Sequence, residues 1–281
     1  MVLSSNSQSM ELDLSKGGSI SQLTLFSNGR SRKVISPKKG YHYESSLLFP
    51  FPNRLSEGKF TFEKKDYQFP LNDFGQPNAL HGFMSDKPFQ VLSQQGDSLS
   101  LHYSYAGDLS YYPFPFDFKT AYTLKPGELV VDITVKNTGD SAMPCGFGWH
   151  PYFNIEDDTE IELKDVVKIC VDDNQIPTGR STPYKTMEDR CRVDHLKLDT
   201  CFEFLQSDPI NTTKLFFSDD AVLEIWQDEH HPYVQIFTPD DGQTMAIEPM
   251  TCSINALGTG VGTKVLETKE AWSFQFGVSL R

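Results

Sequence analysis

No apolar run in this chain approaches the roughly 20 residues that a membrane-spanning helix requires. Residues 1–16 are polar and serine-rich, without a basic head followed by an apolar stretch, so no secretory leader is expected and the cytoplasm is the expected compartment. Cysteine is sparse. Cys145, Cys170, Cys191, Cys201 and Cys252 are odd in number and show no C-x-x-C spacing, which argues against a zinc framework and against a disulfide scaffold. Most are expected to be small buried side chains in a reducing compartment. Positive charge is in deficit, with 25 Lys and Arg against 38 Asp and Glu, a net charge of −13. Nucleic acid and anionic membranes would repel such a chain, and a heavily phosphorylated substrate suits it poorly. A neutral small molecule is the expected partner. Motifs for nucleophilic or nucleotide chemistry are also missing: there is no G-x-S-x-G elbow, no P-loop and no G-x-G-x-x-G opening a strand–helix unit. The run Gly258-Thr259-Gly260-Val261-Gly262 is read as a flexible loop.

Aromatic residues are plentiful, 21 Phe and 11 Tyr among 281 residues, which favours sheet over helix. Short alternating runs at 19–26, 99–105, 129–135, 222–226 and 272–280 read as strands, separated by turn signals such as Pro126-Gly127 and Asp240-Asp241-Gly242. No window sustains a 3.6-residue apolar period. The fold class is therefore all-β, a large antiparallel β-sandwich with few short helices. Its length fits one such domain over 17–281, with 1–16 a polar segment or the domain's first strand.

Two segments place an ionisable side chain between bulky apolar residues and a proline: Gly148-Trp149-His150-Pro151-Tyr152 and Ala246-Ile247-Glu248-Pro249-Met250. A residue before proline is pushed into an extended backbone, and strands tend to finish where proline withholds a donor. His150 and Glu248 are thus expected at strand ends, as an acid and a base facing each other across a pocket. In the hairpin 234–248, closed by Pro239-Asp240-Asp241-Gly242, Glu248 shares a face with Ala246 and Thr244. These small neighbours leave room for a ligand, and burial there should raise the carboxyl pKa.

Asn53-Arg54, stiffened by Pro50 and Pro52, could present fixed donors to hydroxyl oxygens, or Arg54 could simply pair with a carboxylate. His81, in Asn78-Ala79-Leu80-His81-Gly82, is by itself read as a structural histidine. His42, His102 and His195 are set aside in the same way. His230-His231 behind Asp228-Glu229 is read as a solvated loop, since successive strand residues point to opposite faces and zinc-ligand spacing is absent.

Taken together and in this order, Asn53-Arg54 with Gly58, Asn78-Ala79-Leu80-His81-Gly82, His150-Pro151-Tyr152-Phe153-Asn154, Asp199-Thr200-Cys201-Phe202 and Glu248-Pro249 resemble the aldose 1-epimerase (galactose mutarotase) family. The resemblance implies a single galactose-mutarotase-type sandwich with a sugar cleft across one sheet. It also implies a reaction without metal or cofactor that interconverts the α and β anomers of a free hexose. Glu248 would be the general base on the anomeric hydroxyl and His150 the general acid on the ring oxygen. His81 would hydrogen-bond near the reacting centre, Arg54 and Asp199 would grip hydroxyls, and Asn53, Trp226 and Phe237 would form walls. Phe83 stands where many members carry a second glycine, which predicts a reshaped cleft beside His81. The stretch after Pro249 is similar to an uncharacterised branch of the family and leaves the sugar open. The alternatives are a sugar-binding sandwich without turnover and a hexose-6-phosphate 1-epimerase. A monomer or homodimer is expected.

Overall fold

A computed structural model of the chain describes residues 1–37, 42–205 and 209–281. Alternation of apolar and polar residues settles the layers. The strand Phe116–Lys125 buries every second residue, and Glu128–Asn137, Ser98–Tyr105 and Ala271–Leu280 pair with it or with one another, all antiparallel. They belong to a nine-stranded sheet, and a twelve-stranded sheet packs against it. Between the inner faces lies an aromatic core that includes Phe49, Phe116, Phe118, Phe147, Trp149, Phe153 and Phe276. Full burial of such a side chain stabilises by about 1.5–3 kcal/mol. Trp149 from the larger sheet meets Phe276 from the smaller at 5.1 Å between ring centroids.

Residues 1–16 supply the strands Val2–Ser5 and Gln8–Asp13, which end the larger sheet on one side. The strands read from sequence appear with their boundaries extended by up to two residues, for example Ser19–Ser27 and Val222–Asp228. Where a flexible loop is expected over 258–262, the first two residues instead close one helical turn, Ala256–Thr259. It ends at Gly260, whose φ of 81° suits a left-handed cap. No helix among the described residues is long and apolar enough to cross a membrane.

Candidate active site

The site is built on the outward face of the larger sheet. Its central strand, Thr244–Met250, pairs with Tyr233–Phe237 on one side, setting Glu248 opposite Gln235 and Ala246 opposite Phe237. On the other side Tyr152 opposes Ala246, and Gly148 opposes Met250. Both contacts share one register, which places His150 directly opposite Glu248. Directly opposed side chains in an antiparallel pair start about 5 Å apart at Cβ. The result is His150 Nε2 lying 3.4 Å from Glu248 Oε1.

This corrects two expectations. The strand does not end at Glu248 but runs through Pro249. Thr251 donates its N–H to the Phe147 carbonyl, so residue 249 also turns toward the Gly148–His150 strand. It lacks the donor that would meet Trp149 there, and the ladder between the two strands is interrupted between Gly148–Met250 and Tyr152–Ala246. His150 and Glu248 are also not split across the pocket: the two are cross-strand neighbours that both line it.

Burial governs their protonation. Desolvation, helped by the Asp199 carboxylate and opposed by Arg54, pushes the Glu248 carboxyl well above its ordinary range. Desolvation also pulls His150 down to about 4, so it is not the imidazolium that its ordinary value of 6.5 allows. Both groups are driven toward their neutral forms, a state in which the two carry one proton between them. His150 Nδ1 and Glu248 Oε2 are buried without a hydrogen-bond partner, an uncommon condition for native polar atoms.

These shifts carry opposite stability signs. The folded state keeps a Glu248 proton that the unfolded chain loses above about 4.5, so stability falls as pH rises through that window. The unfolded chain binds a His150 proton below 6.5 that the folded state refuses until about 4, so stability also falls as pH drops through that interval. The melting temperature of Glu248→Gln should therefore gain on the wild type as pH rises above 4.5. Parallel melting curves for the two proteins across pH would contradict this.

The walls come from loops. Asn53 and His81 both adopt left-handed backbones, φ 57° and 62°. The Asn53 N–H donates to His81 Nδ1 at 3.0 Å, and the His81 N–H returns a bond to the Asn53 carbonyl at 2.9 Å. Accepting at Nδ1 leaves the proton of the neutral ring on Nε2. Burial, then His150 and Arg54, hold His81 far below its ordinary value, so it is a fixed neutral donor. Arg54 donates through Nε to Asp73 at 2.8 Å and through Nη2 to Asp199 at 3.5 Å. Asp199 also accepts from Gln235 Nε2 at 2.6 Å. Arg54 thus pairs with carboxylates while lining the cleft.

The cleft has a volume of about 670 Å³. Residues 5–279 match the profile of the family described as aldose 1-epimerase. The chain belongs to the aldose 1-epimerase family. It is 26% identical over 253 residues to the uncharacterized protein YihR of Escherichia coli (strain K12), covering 83% of this chain and 77% of that protein. It is 29% identical over 150 residues to the galactose mutarotase of Rattus norvegicus, which spans 50% of this chain and 43% of that one. In fold it is similar to a galactose mutarotase-like protein from Clostridium acetobutylicum, with a TM-score of 0.89 at 21% identity, covering 100% of this chain and 94% of the other.

In this aldose 1-epimerase family member, Glu248, His150, Arg54, His81, Asp199, Asn53 and Phe237 all line the one cleft. Trp226 does not. It lies on the smaller sheet, half-buried on its outer face over Gly277, with its indole N–H bonded to Glu128 at 3.0 Å. Alternation along a strand assigns a face but not a sheet. Phe83 turns into the aromatic core beside Tyr105 and Phe116 and is not among the residues lining the cleft. His231 is fully buried, its Nδ1 2.7 Å from Asp228, rather than solvated. His42, set aside earlier, lines the cleft together with Tyr43, Asn72, Asp73, Tyr152 and Gln235, which sequence reading did not single out. Of these, Gln235 was within reach: the hairpin register places it beside Glu248.

Proposed function

We propose that the protein is a mutarotase, interconverting the α and β anomers of a free aldose by ring opening and closure. The observation that carries this reading is the 3.4 Å pairing of His150 with Glu248 in the cleft. The hydroxyl and ring oxygens of a hemiacetal hang from the same carbon, so neighbouring groups, rather than opposed ones, reach both. Glu248 takes the proton from the anomeric hydroxyl and His150 delivers one to the ring oxygen. The reaction needs one proton on the pair, and the shared-proton state supplies it. Arg54 and the incoming sugar hydroxyls favour the arrangement with the charge on Glu248, which makes the carboxylate the base. The C1–C2 bond then rotates, the ring closes on the other carbonyl face, and the two groups exchange roles. His81 Nε2–H, Arg54 and Asp199 hold the sugar hydroxyls, with Phe237 and Asn53 in the walls.

The charge of the cleft favours an unphosphorylated sugar. Among its described lining residues Arg54 is the one Lys or Arg, and it is already bonded to Asp73 and Asp199. Among the described residues a phosphate dianion would meet Asp73, Asp199, Asp240 and Glu248 with no uncommitted cation lining the cleft. Polarimetry of freshly dissolved α-glucose and α-galactose should show accelerated approach to equilibrium, with hexose 6-phosphates processed far more slowly. A wild-type protein that binds these sugars without accelerating exchange would instead support the binding-only alternative.

The acid limb of kcat/KM should follow the free enzyme's pair. Activity is expected to persist as pH falls below 6.5 and to drop only as the pair takes its second proton near 4. An acid limb centred at the ordinary histidine value would contradict the buried-pair account.

A further inference from the structure

Tyr43 adopts a left-handed backbone, φ 60°, a conformation that a bulky aromatic holds only when its surroundings impose it. Those surroundings tie it to the acid–base pair. Its carbonyl accepts the Ser46 N–H at 3.0 Å, and the neighbouring Ser45 N–H donates to the His150 carbonyl at 2.9 Å. The Ser45 carbonyl accepts the Trp149 indole N–H at 3.1 Å. The backbone that carries Tyr43 is thus bonded to the backbone that carries His150.

The side chain is fixed from the opposite wall. Asn72 pairs with the Leu80 backbone, accepting its N–H at 2.6 Å and donating to its carbonyl at 3.1 Å. The second proton of the Asn72 amide goes to the Tyr43 hydroxyl oxygen at 3.1 Å. That oxygen therefore accepts, and its own proton remains to be donated. The phenol ring lies 4.6 Å from the His81 ring, edge-on, and 6.4 Å from the His150 ring at an interplanar angle of 26°.

We propose that Tyr43 is both a positioning and a substrate-contacting residue of this site: its ring keeps water off the His81 and His150 imidazoles, and its hydroxyl donates to a hydroxyl of the bound sugar. The second half rests on the mutarotase reading; the first does not. Titratable groups facing His150 are Glu248 from the central strand, His81 from the loop after Leu80, Tyr152 from the following strand, and Tyr43. His81 is faced in addition by Arg54. Removing Tyr43 admits water to the imidazoles without deleting a charge. Burial, partly offset by the bond from Asn72, raises the Tyr43 phenol above its ordinary value, so it stays an uncharged donor.

The test follows the imidazole C–H signals of His150 and His81 by NMR, without sugar, in wild type, Tyr43→Phe and Tyr43→Ala. In Tyr43→Ala the His150 midpoint should climb from about 4 toward 6.5, by about one pH unit or more as desolvation is relieved. Tyr43→Phe keeps the ring and should leave it unmoved. Calorimetry with glucose or galactose should then show Tyr43→Phe binding about 2–10-fold more weakly, the effect of one neutral hydrogen bond. An unmoved His150 midpoint in Tyr43→Ala overturns the shielding role. Wild-type affinity in Tyr43→Phe, or a wild type that binds neither sugar, overturns the hydroxyl contact. Because the titration contains no sugar, its failure is separate from failure of the mutarotase reading, which would appear as absent anomer exchange in the wild type.

Discussion

Glu248→Gln is expected to lower kcat by about 10²–10⁴-fold, the usual contribution of a positioned acid or base, with a wild-type fold. The substitution keeps the shape of the side chain. It removes the ability to take and return a proton, which the pairing with His150 depends on. Stability should not fall, because the wild-type carboxyl is 2% exposed and its charged form is disfavoured by desolvation and Asp199. An amide carries no such penalty at neutral pH. Circular dichroism and urea unfolding would establish the fold, and anomer-exchange kinetics the loss. A folded Glu248→Gln protein at the wild-type rate would remove this carboxylate from the reaction.

The largest stability effect is expected at Gly82→Ala. Gly82 follows His81 directly and has a φ of +65°, and a Cβ added there would overlap the Phe49 carbonyl. That carbonyl is backbone, accepts the Phe83 N–H at 3.1 Å and belongs to a residue fully buried in the core, so it cannot step aside. The left-handed conformation costs a non-glycine residue about 1–2 kcal/mol, and forced repacking adds about 1–3 kcal/mol. Urea unfolding should therefore show a loss of about 2–5 kcal/mol as their sum. His81 would be displaced with its neighbour, so kcat/KM should fall in whatever fraction remains folded. A loss below about 0.5 kcal/mol, the range of an ordinary surface change, would mean that the loop relaxes and that the glycine is not required.

Strand identity was legible because apolar residues alternate cleanly, as along Phe116–Lys125. Glu248, Ala246 and Thr244 are recognisable as one face for the same reason, and Glu248 of that face lines the cleft. What could not be read was how separate strands meet. His150 and Glu248 lie far apart in the chain, and their side-by-side placement follows from a shared register that neither segment displays alone. Trp226 lies in the smaller sheet, and its alternating strand looks the same as one in the larger sheet. Tyr43, Asn72 and Asp73 reach the cleft from irregular loops, where no periodicity marks a side chain as inward-facing. In the sequence, Asp228 beside His231 reads as surface charge and makes the histidine look solvated. In the fold the two bury each other.

The most direct test of the account is the rate of exchange between α and β anomeric signals of C1-labelled glucose, measured by magnetisation transfer with wild type, Glu248→Gln, His150→Asn and the double variant. Two groups that share one proton act as a unit, and such effects are not additive. Each single variant should lose most of the catalysed exchange, and the double variant should be no slower than the worse of the two. Single variants that retain the wild-type exchange rate, or losses that multiply in the double variant, would show that His150 and Glu248 do not form one proton-handling pair.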